Sequence, residues 1–171
     1  APRTPILLGT KTKPVLIKPV SAKKIKAIID CPINMLMPES EAKFLQKINL
    51  RKFKFINAGN HHLIIERKNI DSYDLDGLSC MLRKRDFFKY LNISLYNKDL
   101  KGINLRTNEA GAGETLSCGS ASAATASFNL KDGALLKIFS AGGELSLRKI
   151  NDKLEMIGPA EFICEGTWLK N

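Results

Sequence analysis

Glu109-Ala110-Gly111-Ala112-Gly113-Glu114-Thr115-Leu116-Ser117-Cys118-Gly119-Ser120 is the stretch that decides the reading of this chain. Its glycines end a strand, and a lone cysteine stands where a helix begins. The residues that follow, Ala121-Ser122-Ala123-Ala124-Thr125-Ala126-Ser127, are all small and uncharged. No charge occurs from Thr115 to Leu130, in a chain that is 26% charged, so the helix expected over Ser117–Leu130 is a buried one. Small side chains let other backbone close around it. Cys118 then lies at a buried helix N-terminus, where unpaired N–H groups and the macrodipole favour negative charge and lower a thiol pKa. On position alone the residue reads as an activated thiolate or as an inert small hydrophobe.

The remaining pattern gives strands over 5–20 and 24–30, a helix from Pro38 to Ile48, and strands at 53–57 and 62–66 around a Gly59-Asn60 turn. A longer helix is expected from Asp71 to about Phe88, with Leu75, Leu78 and Leu82 on one face. Strands follow at 91–97 and 102–107. After the buried helix come strands near 134–139, 144–149, 153–157 and 160–168. Runs of strands broken by isolated helices point to the α+β class rather than a βαβ repeat.

Composition bounds the function. The 171 residues are 44% hydrophobic, with 7 prolines and 12 glycines, which suits one globular domain or a domain with an arm. No apolar run nears the roughly 18 residues needed to span a bilayer, so no membrane role is expected. The four cysteines have no regular spacing, which argues against a disulfide scaffold or zinc site and for a reducing, cytoplasmic setting. The net charge of +10 is spread over several segments. Basic and aromatic residues interleave only at Lys52-Phe53-Lys54-Phe55, so a solvated lysine-rich surface is expected rather than a nucleic-acid one.

The stretch Asn108 to Ser120 resembles the second cysteine motif of the diaminopimelate epimerase family, usually Glu-Arg-Gly-x-Gly-Glu-Thr-x-x-Cys-Gly-Ser/Thr-Gly. Asn57-Ala58-Gly59-Asn60-His61-His62-Leu63 is similar to the family's Asn-x-Gly-Asn-Pro-His-Leu segment, and Leu91-Asn92-Ile93 falls where it has an Asn before a strand. Gly142-Gly143-Glu144-Leu145 and Met156-Ile157-Gly158-Pro159-Ala160, with Glu165-Gly166, match its closing elements. The blocks occur in the family's order. They cover nearly all of this chain but only the second half of the family's usual length. The first half, with a Cys-Gly-Asn-Gly-x-Arg-Cys segment, has no counterpart here.

The resemblance implies a lobe in which a curved antiparallel sheet wraps a central buried helix, within a chain that is a fragment. Residues 1–29 and a return strand at 161–171 would be pieces of a first lobe, and 30–160 the second. It implies cofactor-independent epimerisation of an amino acid, most simply diaminopimelate, with thiol acid and base on opposite faces of the α-carbon. Cys118 would be one of that pair, and the backbone of Gly119 and Ser120 would cradle the substrate carboxylate. His62 and Glu109 would support the thiol, and Asn60 and Asn92 would bind the substrate. Read without the family, His61-His62 is an exposed turn pair, Glu109 a strand-end charge, Asn60 a turn residue and Asn92 a strand-leading one. A metal site on the adjacent histidines is not expected, since neighbours in a strand face opposite ways.

Ala110 stands where the family has an Arg that binds the distal carboxylate, Ala121 where it has Gly, and His61 where it has Pro. A racemase of another amino acid, an isomerase of the phenazine-biosynthesis type, and a decayed, non-catalytic binding module are the alternatives. With one of two proton-transfer groups, the chain is expected to be inactive alone. The missing lobe, or a homodimer presenting Cys118 from both copies, would complete it.

Overall fold

Strands β1 (Ile6–Leu8), β2 (Val15–Ser21), β3 (Lys24–Asp30) and β4 (Ile33–Asn34) lead into helix α1 (Glu39–Lys47). Strands β5 (Phe53–Asn57) and β6 (His61–Glu66) form the next hairpin, followed by α2 (Leu75–Arg83) and a 3₁₀ turn at Asp86–Phe88. Then come β7 (Asn92–Lys98), β8 (Ile103–Glu109), β9 (Gly113–Thr115), α3 (Gly119–Asn129), β10 (Leu135–Ser140), β11 (Gly143–Ile150) and β12 (Lys153–Pro159). These elements come from a computed structural model that describes residues 5–8 and 14–167.

One sheet runs in the order β1-β2-β3-β12-β11-β10-β8-β7-β6-β5-β4, with β9 paired to β8. The expected antiparallel sheet is in fact mixed. β6 pairs with β7, and β8 with β10, in parallel. A parallel pair needs a long crossover, usually a helix. Here α2 supplies the first and α3 the second, and they lie on opposite faces. On one face α1 and α2 cover Leu63, Ile65, Ile93 and Leu95. On the other, α3 packs among Ile56, Ile64, Leu105, Ile138, Leu147 and Leu154. Helix α3 touches β6 as well as β11 and β12, which stand well apart in the sheet, so the sheet curves around it. The fold is the expected α+β lobe around a buried helix, with the sheet unclosed.

Small residues let α3 enter that curve. Ala121, Ala123, Ala124 and Ala126 have no exposed surface. The buried hydroxyls of Ser122 and Thr125 donate to the carbonyls of Cys118 and Ala121, so neither is left unpaired.

Four elements differ from the sequence reading. Helix α2 is shorter than 71–88 because the Asp74 side chain accepts from the Gly77 N–H at 2.8 Å and caps it there. At its far end Arg85 is extended, and its guanidinium forms a two-pronged pair with Glu41 of α1 at 2.7 Å. Strands β4 and β9 were not expected; at two and three residues they are too short to show alternation. Residues 160–167 hold no strand. Ala160 N–H donates to Lys23 O, and beyond it no strand lies alongside among the described residues; residue 168 lies outside them.

Candidate active site

His62 on β6, Asn92 on β7 and Glu109 on β8 sit on the sheet face that meets the N-terminus of α3. Alternation puts them there: His62 precedes Ile64, and Glu109 follows Leu105 and Thr107 at two-residue steps, with Ile64 and Leu105 in the core around α3. His62 and Asn92 are direct partners in the parallel ladder. Cys118 stands above this floor as the N-cap residue of α3, 7% exposed.

The Cys118 thiol lies 3.4 Å from the Ser120 hydroxyl. Burial pushes its pKa up, and this outweighs the lowering pull of that hydroxyl and of the Ala121 N–H. The nearby Glu109 carboxylate pushes in the same raising direction. The sequence reading of an activated thiolate is therefore corrected: desolvation and a neighbouring carboxylate outweigh the helix N-terminus, and the resting group is a thiol.

Glu109 also acts on His62, so one carboxylate faces both groups. It is held in place by the Thr115 hydroxyl, which donates to Glu109 Oε1 at 2.7 Å. Strand β9 makes this contact possible by folding back on β8, with Glu109 opposite Gly113. The turn between them uses Gly111 and Gly113 at φ of 86° and 77°.

His62 is fully buried, and burial lowers its pKa to about 4 against the pull of Glu109. Its Nε2 lies 2.8 Å from Asn60 Oδ1, while Nδ1 has no hydrogen-bond partner among the described residues. His61 is exposed and rests its ring against Phe55, with centroids 5.4 Å apart. Among the described residues no group of three His, Cys, Asp or Glu side chains could hold a metal ion.

Asn92 Oδ1 accepts from the Ala110 N–H at 2.9 Å, which ties the start of β7 to the turn after Glu109. Both asparagine oxygens are thus engaged within the protein, leaving their amide nitrogens for a ligand. The first N–H groups of α3, at Gly119 and Ser120, have no acceptor four residues back in the helix and can take up an anion.

Arg83 and Arg106 lie on the other side of β8 from Glu109, where both donate within the protein. Arg83 donates to Asn108 Oδ1, to Asn108 O at 3.0 Å and to Leu91 O at 3.2 Å. Arg106 forms a two-pronged pair with Glu114 at 2.6 and 2.7 Å and also donates to the carbonyls of Ile70, Asp71 and Tyr73. Thr115 and the Arg83–Asn108–Asp76 network were not singled out in the sequence, although Thr115 lies inside the decisive stretch and Asn108 immediately precedes it. Asn108 neighbours Glu109 in a strand, so it faces the opposite side and anchors β8 to α2.

A groove of about 760 Å³ lies between Val15–Leu16, Ile28–Ile33 and the Asn57–Gly59 turn, and Cys118 is not part of its wall. No helix among the described residues is long and apolar enough to cross a membrane.

No family model matches the chain. It is 39% identical over 134 residues to a diaminopimelate epimerase of Wigglesworthia glossinidia brevipalpis, covering 71% of this chain and 49% of that protein. It is 30% identical over 125 residues to an O-ureido-serine racemase of Streptomyces lavendulae, covering 69% of this chain and 44% of the other. The chain thus spans about half the length of the curated relatives it matches. Among solved structures it is similar to a Bacillus anthracis phenazine biosynthesis protein of the PhzF family, with a TM-score of 0.65 at 16% identity, over 92% of this chain and 65% of that one.

Proposed function

We propose that this chain, a relative of the diaminopimelate epimerases, is the C-terminal half of a cofactor-independent amino-acid epimerase. The observation that carries the proposal is Cys118 at the N-cap of the buried helix, with Glu109 and His62 beneath it on β8 and β6, the strands either side of β7. In this reading residues 1–29 and 161–171 belong with a first lobe that brings the second thiol, and 30–160 form the second lobe.

Inversion removes the α-proton on one face and returns a proton on the other. Burial and Glu109 keep Cys118 protonated, so it is the acid in the resting state. The base is the thiolate of the opposite lobe: it takes the α-proton, the electron pair passes into the substrate carboxylate, and the Cys118 proton moves to the α-carbon. The Gly119 and Ser120 N–H groups stabilise the charge that develops on the carboxylate. The two thiols then exchange roles for the reverse direction.

The names of the curated relatives support diaminopimelate as the substrate, and on that reading the enzyme works in the cytoplasm in the synthesis of lysine and peptidoglycan precursors. One observation favours a second substrate class. Ala110 offers no cation where the family has its Arg; among the described residues Arg106 is ion-paired with Glu114, and Arg83 is turned to Asn108 and Leu91. An amino acid with an uncharged side chain, as the name of the Streptomyces relative suggests for that protein, fits better there.

The test is deuterium exchange at the α-carbon of a panel of amino acids, using the protein with its upstream sequence restored. Exchange that vanishes in Cys118→Ala supports the proposal. If diaminopimelate is best, the second class is wrong; if a neutral amino acid is best, Ala110→Arg should shift the preference toward diaminopimelate. No exchange from a folded protein overturns the catalytic reading and leaves a non-catalytic binding module.

A further inference from the structure

Asn60 closes the tight turn between β5 and β6, two residues before His62. That turn is firmly built: the Gly59 N–H donates to Asn57 Oδ1 at 2.9 Å, and the Ala58 N–H donates to Asn60 O at 2.9 Å. Gly59 takes a φ of 93°, which keeps the turn tight. Asn60 is exposed, yet its Oδ1 lies 2.8 Å from Nε2 of the fully buried His62 ring.

An amide oxygen can only accept, so Nε2 must carry the proton of the neutral ring. The other nitrogen, Nδ1, is then a bare lone pair, buried and without a partner among the described residues. A buried acceptor with no donor destabilises the fold, and the fold tolerates it here in a residue that Glu109 also acts on.

We infer that Asn60 is a positioning residue: its side-chain oxygen fixes the Nε2–H tautomer of His62 and so holds Nδ1 as an acceptor for a donor brought to the site. The use of that acceptor rests on the reading of the site as an epimerase half-site; the tautomer itself does not. The donor belongs to the chemical class of a thiol or an ammonium group. The choice of an amide matters. An aspartate at 60 would favour the imidazolium, which has no acceptor at all. The charged or titratable groups that act on His62 are Glu109 from β8 and, from its own strand, the exposed His61; Cys118 of α3 is acted on by the same Glu109. Glu109 already pulls toward the imidazolium, so a neutral partner at Nε2 keeps the ring uncharged. This also revises the role expected from the sequence, because only Nδ2 of Asn60 remains for a ligand.

The measurement is the long-range proton–nitrogen spectrum of the 15N-labelled, 171-residue chain at pH 7, which reads each histidine's tautomer. His62 is expected as one Nε2–H population. Asn60→Ala should give a mixture of tautomers, and Asn60→Asp should raise the His62 midpoint from about 4 by a unit or more. An Nδ1–H tautomer in the unaltered chain overturns the inference, because the Asn60 amide would then be donating from Nδ2. So does a tautomer that Asn60→Ala leaves unchanged. The first of these needs no variant, so a misfolded mutant does not shelter the inference. In the longer protein, a rise in KM with kcat and pH profile unchanged would also overturn it, since that marks substrate binding alone. Loss of α-proton exchange in Cys118→Ala tests the catalytic reading separately.

Discussion

The two ends of this sheet share a sequence pattern and differ in what covers them. Strand β3 alternates Ile25, Ala27, Ile29 much as β6 alternates Leu63 and Ile65 with its neighbours. In β6 both faces are sealed, by α1 and α2 on one side and α3 on the other. Among the described residues the first fully buried hydrophobic side chain is Leu45 and the last is Leu154. Before them Leu7 is 66% exposed, and after them Ile163 is 91% exposed. Alternation therefore makes a strand wherever a ladder partner exists, but only a second layer makes a core. The apolar row on β1–β3 and at 160–167 has the composition of an interface and lacks that layer.

This contrast can be broken first by truncation in the covered region. Leu63→Ala should cost about 2–5 kcal/mol, whereas Leu8→Ser should stay within about 0.5 kcal/mol, both read by urea unfolding. Equal costs would show that β1 is part of the core. Next comes His62. Its folded pKa is about 4 against 6.5, so between these values the unfolded chain binds the extra proton. Stability is full above pH 6.5 and falls as pH drops toward 4, by as much as about 3 kcal/mol. The slope should flatten in His62→Gln; a slope that persists would place the effect elsewhere.

The seam between β8 and β10 gives a smaller effect. Gly102 adopts φ of 152°, and a Cβ there would lie 2.3 Å from the Lys137 carbonyl oxygen. Gly102→Ala should cost about 1–3 kcal/mol, and a cost near zero would mean the seam can shift. The smallest is Asp74→Ala, which removes the α2 cap for about 1 kcal/mol.

Much of this was legible in the residues. The uncharged run after Cys118 foretold a buried helix, and Ala121–Ala126 are buried as that run requires. The partners of that helix were not legible, because small residues state only that something is close. The thiol's raised pKa was also hidden: a helix start is visible in sequence, whereas depth and a carboxylate from a different strand are not. The mixed sheet turns on which strands each helix connects, and alternation says nothing about direction. Residues 160–167 carry apolar side chains suited to a strand, but a strand needs a neighbour that no single segment can announce.

The central claim is that Cys118 belongs to half of a site. The direct measurement is α-proton exchange on the amino-acid panel by the 171-residue chain alone, and by the same chain mixed with the proposed first lobe expressed separately. No exchange alone, and Cys118-dependent exchange in the mixture, is the expected result. Exchange by the chain alone would contradict it, and its loss on dilution would point instead to two copies supplying Cys118 to each other.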